Sequence, residues 1–292
     1  MGTLLFLGQT LRIAIPYLFA AAGGAIAERA GIVSLTLEGF MLGGAFGAVI
    51  GSFYTESAWM GMLCGALVGL LLGAVHAVAS IRYRADQIVV GVALNLFVVG
   101  ATRFFLQLAF DSSSNSPRVA GFGGEGASGN AGAFLANPLI WLGIAVIPAL
   151  AWLVGRTTFG LRVRAVGEHP VAAQSVGVPV TRVRYAAVLL SGLFASLGGV
   201  YLALDQHQFT DSMTAGRGFI ALAAVIFGRW DPKRAGIACL LFAAAETLQI
   251  RLQAAQLIPS QFVAMIPYLL TIVAVAGVVG RSTPPAALGK AE

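Results

Sequence analysis

Glu38, Arg103 and Glu246 are ionisable residues set inside otherwise apolar stretches of this 292-residue chain. In lipid such groups are costly to bury, and they commonly mark aqueous or solute paths. Glu246, Gln249 and Gln253 in AAAETLQIRLQ recur at three- and four-residue steps, so a helix places them on one face. Asn95 in GVALNLF has the same character without the charge. A second role is open to each of them, since polar side chains also form interhelical hydrogen bonds in membrane bundles. The segment TDSMTAGRGFIALAAVIFGRWDPKR is the most informative: Gly216 and Gly218 flank Arg217 just ahead of a short apolar run. Backbone unwound there would leave a helix N-terminus with free N–H groups and a positive dipole end, suited to a polar, oxygen-rich solute near mid-membrane. Phe219 offers a ring face for stacking. The alternative is a tight Gly-Arg-Gly turn at the outer surface.

Familiar catalytic arrangements do not occur. The chain has no G-x-S-x-G, no H-E-x-x-H and no phosphate loop, because Lys233 precedes Arg and Lys290 precedes Ala. The three histidines, His76, His169 and His207, form no recognisable metal-ligand spacing, so no metal residues are assigned. Cys64 and Cys239 lie in apolar runs and read as packing residues. No nucleophile and base pair stands out, and the chain reads as a path rather than an enzyme.

Helices in a membrane must position these residues. Hydrophobic residues make up 58% of the chain and charged ones only 10%, against roughly 25% in a soluble domain. The 37 glycines suit helices that approach closely in lipid. The expected fold is therefore all-α, a polytopic transmembrane bundle forming one domain over residues 1–292. Spans of about 20 apolar residues fall near 10–28, 33–53, 61–80, 87–110, 137–155, 184–204, 216–228, 235–254 and 262–280, about nine segments in all. The seventh is short: it crosses with help from 206–215, or it is half of a broken helix, tolerated only where protein or a cavity surrounds it. The N-terminal residues show neither a charged start nor a cleavage site, so no removable signal is expected.

Orientation follows from charge. With the C-terminus inside, thirteen of the eighteen Lys and Arg residues fall in inner loops, which favours an outside N-terminus. The net charge of +6 comes without a basic run, so it sets orientation and does not indicate nucleic-acid binding. The outer loop 111–137 is rich in Gly, Ser and Asn and reads as a lightly structured connection. The inner loop 156–184 differs: Glu168, His169 and Pro170 precede a short helix that Gly177 closes, lying at the cytoplasmic surface. A cytoplasmic tail, 281–292, ends the chain.

Five blocks carry a family resemblance: GGAIAERAGIVSLTLEGFMLGGAF, RADQIVVGVALNLFVVGATRF, TFGLRVRAVGEHPVAAQSVGV, TAGRGFIALAAVIFGRWDP and IPSQFVAMIPYLLTIVAVAG. They resemble the permease subunits of ABC importers in the ribose and branched-chain amino-acid permease group, and within it the nucleoside-type branch. The likeness runs from about Leu11 to Lys290 with the blocks in order. It implies an importer of the bacterial inner membrane made of two permeases, commonly different proteins of which this is the shorter, with two cytoplasmic ATPase subunits and an external solute-binding lipoprotein. ATP and Mg would be held by the ATPase, and this chain would need no cofactor. The inner-loop helix would dock in an ATPase groove, through Gly160, Arg162, Arg164, Glu168, Ala172, Ala173 and Gly177. The resemblance does not fix the path residues; on the polarity argument above, Glu38, Asn95, Arg217, Glu246 and Gln249, with Phe219 as a stacking ring, would line a path that works by alternating access. A simple sugar such as a pentose is the alternative cargo, and a stand-alone secondary transporter or channel is the alternative class. The outer loop is longer and more Gly-rich than the resemblance leads one to expect.

Overall fold

Among the described residues, seven helices are long and apolar enough to cross a membrane, and they follow the sequence-derived spans closely. In the computed structural model, residues 2–122, 136–255 and 283–290 are described. The elements are α1 (Gly2–Arg29), α2 (Leu37–Thr55), α3 (Ala58–Ala77, extended by a π-helical turn, Val78–Arg82), α4 (Gln87–Phe110), α5 (Pro138–Arg156), α6 (Thr158–Glu168), α7 (Pro170–Ser175), α8 (Val180–Gln206), α9 (Arg217–Phe227) and α10 (Pro232–Ala255). The expected span at 262–280 lies outside the described residues.

The centre of the bundle is α1, α2 and α8, whose residues are mostly buried, while α3, α4, α5 and α10 surround them with apolar faces turned outward. Small residues decide how near these helices come. A Cβ on Gly44 of α2 would lie 2.6 Å from the Ser196 carbonyl oxygen of α8, and one on Gly192 would overlap the Gly69 carbonyl of α3. Since lipid tails are as apolar as leucine, close backbone packing replaces the hydrophobic drive between helices. The abundance of glycine in the sequence has its physical use here.

The loops that the charge count groups together are together in space. At one end, here the basic end, the Arg29 turn, the start of α4, α6 and the tail meet: Val33 N donates to Gln87 Oε1 (2.7 Å) and Ala287 N to the Gly167 carbonyl (2.9 Å). At the opposite end, residues 114–119 of the long loop run antiparallel to 207–211, with Ser116 N donating to the Phe209 carbonyl (2.9 Å) and Val119 N to that of His207 (2.8 Å). This half of the loop is a clasp and not a loose connection; residues 123–135 are not described.

Among the described residues, two non-helical segments lead into buried helix starts, 30–36 ahead of α2 and 207–216 ahead of α9. Unpaired backbone groups there would cost several kcal/mol each, and neighbouring side chains supply the partners. For 30–36 these are Gln87 to Val33 N, Glu28 to Ser34 N (3.3 Å) and Asn95 Nδ2 to the Leu35 carbonyl (2.9 Å). For 207–216, Ser116 Oγ accepts from Phe209 N (2.8 Å) and Glu38 Oε1 from Gly216 N (2.8 Å), and the fully buried Phe209 ring meets Phe46 edge-on at 5.3 Å. The short seventh segment and its lead-in together run between the two ends of the bundle: His207 is tied to the opposite end and Trp230 to the basic end.

The inner loop holds two helices where one was expected. Thr157 caps α6 through Gly160 N (3.1 Å). Helix α7 begins at Pro170 and closes as expected: Val178 N reaches the Ala173 carbonyl, Gly177 N reaches that of Gln174, both at 3.0 Å, and Gly177 has φ +86°. This is the Schellman arrangement, in which glycine enters the left-handed region without Cβ strain.

Candidate functional site

Helix α9 has 11 residues, about 16 Å of rise, roughly half the ~30 Å hydrocarbon thickness. Its C-terminal turn lies at the basic end, so its N-terminus stands near mid-depth. That N-terminus meets the first turn of α2 with almost nothing between them, since a Cβ on Gly218 would lie 2.5 Å from Glu38 N. Glu38 fills the junction. Its Oε1 accepts from Thr214 Oγ1 (2.6 Å) and Gly216 N (2.8 Å), and its Oε2 from Gly218 N (2.7 Å).

The expectation of free N–H groups at this helix start is thus corrected: a carboxylate of the chain itself occupies them. A negative group at a helix N-terminus satisfies orphan donors and opposes the dipole, contributing up to about 2 kcal/mol where partly buried. The sequence shows Glu38 and the Gly-Arg-Gly segment but carries no sign that they meet, 178 residues apart.

Asn95 performs the parallel task for α2. Its Oδ1 accepts from Gly39 N (2.8 Å) while its Nδ2 holds the Leu35 carbonyl, so both ends of the amide are used. A cavity of about 130 Å³ remains beside these groups, lined by Glu38, Asn95, Val99, Ser212, Thr214 and Gly216 among others.

Arg217 and Glu246 form the second pair. Arg217 Nη2 lies 3.3 Å from Glu246 Oε1, and Nη1 donates to the Met213 carbonyl (3.1 Å). The other Glu246 oxygen accepts from Tyr17 OH on α1, so this cluster ties α1, α9 and α10. Its place in the sequence pattern was visible, but Tyr17 was not singled out, because a tyrosine in an apolar run signals nothing unusual. Gln249, a turn further along, is half-buried, and Phe219, in the first turn of α9, is 48% exposed. Of the six path candidates, four are thus brought into two neighbouring clusters, while Phe219 and Gln249 stay outside them. Arg103 pairs with Asp211 at 2.7 Å on the segment leading to α9.

The inner-loop residues divide as well. Gly160 and Ala173 are buried, and Gly160 lets α6 fold back on the end of α5. Arg162, Glu168, Ala172 and Gly177 are exposed, Arg164 is intermediate, and Val171 and Val176 beside them are 73% and 78% exposed. Between α7 and the tail residues Ala286, Ala287 and Lys290 lies a groove of about 430 Å³.

A buried carboxylate that the sequence reading passed over sits at the basic end. Glu28 is 3% exposed, and its Oε2 accepts from Trp230 Nε1 at 2.5 Å. Arg29 Nε donates to the Trp230 carbonyl at 2.7 Å. It directly precedes Arg29 at the end of α1, where a charged residue signals nothing unusual.

This architecture is that of an ABC transporter permease. A solved inward-facing ABC transporter, provisionally of metal-chelate type, matches it with a TM-score of 0.53, covering 91% of this chain and 85% of that one at 18% identity. The chain belongs to the family described as branched-chain amino acid transport system / permease component, which matches residues 6–275. It is similar to the guanosine ABC transporter permease protein NupQ of Bacillus subtilis, 38% identical over 96% of this chain and 93% of that protein. The nucleoside ABC transporter permease protein NupC of Lactococcus lactis is 38% identical over 94% and 92%. TsgC13 of Haloferax volcanii, provisionally a glucose ABC transporter permease, is 35% identical over 86% and 78%. The chain is therefore a multi-pass membrane subunit of a transporter and not an enzyme, and its family implies ATPase and substrate-binding partners.

Proposed function

We propose that this chain is one of two permeases of an ATP-driven nucleoside importer of the bacterial inner membrane, forming the path by alternating access. The observation that carries this reading is the 38% identity to NupQ and NupC across nearly the whole of all three chains. The basic end faces the cytoplasm, the partner permease is a different and longer protein, and an external lipoprotein delivers the solute. ATP and Mg are held by the ATPase alone.

Glu38, Asn95, Arg217 and Glu246 shape the path by holding the starts of α2 and α9 at mid-depth. Phe219 and Gln249 meet the solute, with the exposed Phe219 ring as a stacking platform for a base. Helices α6 and α7 receive the ATPase movement: Arg162, Arg164, Glu168 and Ala172 form the contact, and Gly160, Ala173 and Gly177 set its shape.

Reconstitution of the whole importer in proteoliposomes tests the reading. ATP-dependent accumulation of labelled guanosine, with ribose and glucose excluded, is expected. Accumulation of a sugar alone would establish the second reading, which the 35% identity to TsgC13 favours. Uptake by this chain without an ATPase would instead make it a stand-alone transporter or channel.

A further inference from the structure

Helices α1 and α9 end in the same kind of turn at the basic end, and the two turns are stitched to each other. In α1, Ile32 N reaches the Ala27 carbonyl (3.1 Å) and Gly31 N that of Glu28 (3.0 Å), with Gly31 at φ +88°. In α9, Trp230 N reaches the Val225 carbonyl and Arg229 N that of Ile226, both at 3.0 Å. The left-handed position there is filled by Arg229 at φ +52°, which a side chain adopts only under strain. Surrounding structure must hold such a turn in place.

Glu28 supplies the hold. One carboxylate oxygen accepts from Trp230 Nε1, directly after α9, and the other from Ser34 N, within the lead-in to α2. A single buried side chain thus joins the two discontinuous helices whose N-termini meet at Glu38. The same turn of α1 touches the inner-loop layer: a Cβ on Gly167 of α6 would overlap the Arg29 carbonyl, and the Gly31 carbonyl accepts from Gly289 N of the tail (3.2 Å). The contacts are contiguous from α6 through Arg29 and Glu28 to Trp230, and then along α9 to the Glu38 junction. Interior packing of this kind passes on displacement instead of absorbing it.

We infer that Glu28 is a positioning residue for transport, acting through Trp230 to convert movement of the α6–α7 layer into movement of the α2 and α9 starts at mid-depth. This rests on the proposed coupling role of the inner loop. It assigns Glu28 no contact with solute.

The test is uptake per ATP hydrolysed by the complete reconstituted importer carrying Glu28→Gln, Trp230→Phe or both. Loss of fold lowers the amount of complex and both rates together, whereas loss of transmission lowers their ratio. Trp230→Phe, which keeps the ring packing and removes the N–H, is expected to cut the ratio about fivefold with the yield of complex unchanged. In Glu28→Gln an amide N–H faces one of the two donors, so a similar fall is expected. The double variant should be no worse than Trp230→Phe, because contacting residues in one network couple. An unchanged ratio in Trp230→Phe, or effects that multiply in the double variant, would overturn the inference. Ala172→Arg, measured alongside, decides the coupling role separately: if it uncouples while Trp230→Phe does not, only the Glu28 inference fails.

Discussion

Glu38 Oε2 accepts from the backbone N–H of Gly218 at 2.7 Å, which makes one carboxylate the meeting point of two helix starts. The α2 start is approached from the basic end through residues 30–36, and the α9 start from the opposite end through 207–216. Both helix starts thus meet at one shared, polar joint.

The joint fails without its acceptor. Glu38→Ala leaves three donors unsatisfied, and each buried orphan costs about 1–3 kcal/mol. Thermal unfolding of the detergent-solubilised complex should show a clearly lowered midpoint together with loss of uptake. Glu38→Gln, which keeps an acceptor oxygen, should lose less. An unchanged midpoint in Glu38→Ala would mean that the junction contributes little.

Arg217 and Glu246 should prove coupled. Their side chains are 22% and 25% exposed, so the pair lies between the surface and the buried limit, and removing one partner should cost about 1–3 kcal/mol. Glu246→Leu alone should destabilise more than Glu246→Leu with Arg217→Leu, because the single change strands a guanidinium at membrane depth. Midpoints of the two single variants, the double variant and the unmutated protein, compared in a double-mutant cycle, give the answer, and additive losses would contradict the pairing.

Close packing between α3 and α8 predicts a steric effect without any chemistry. Gly192→Ala puts a methyl group against the Gly69 carbonyl, and such overpacking costs about 1–3 kcal/mol. Gly100→Ala, which has nothing within 4 Å, serves as the control and should leave stability unchanged.

Phe219→Ala tests the stacking platform. Base–aromatic stacking is worth about 1–3 kcal/mol, so the KM for nucleoside uptake should rise roughly tenfold with basal ATP hydrolysis unchanged. Phe219→Tyr should restore it. A KM that stays at the unmutated value would place the solute elsewhere.

Much of the fold was legible in the chain. Seven spans, the short α9 and the α7 helix from Pro170 to its Gly177 turn follow from hydropathy and from local rules about proline and glycine, which act over a few residues. Two local features escaped. Helix α6 was missed because its run, TFGLRVRAVGE, mixes arginines with apolar residues and reads as a loop at the surface. The 114–119 clasp was missed because its partner segment, 207–211, is remote in the chain, Asn115 bridging to Thr210, and its own composition favours no structure.

The site divides in the same way. Composition and spacing by themselves determined a membrane bundle, the shortness of the segment that became α9 and the residues too polar to be there without a reason, and they gave orientation only as an expectation from charge. Which polar group answers which was decided by the tertiary structure alone. Glu38 to Gly218, Asn95 to Gly39, Glu246 to Tyr17 and Glu28 to Trp230 are pairings across 56 to 229 residues. In lipid no water competes for these donors and acceptors, so each must find the partner that packing brings within reach, and packing is a property of the whole bundle and not of any one segment.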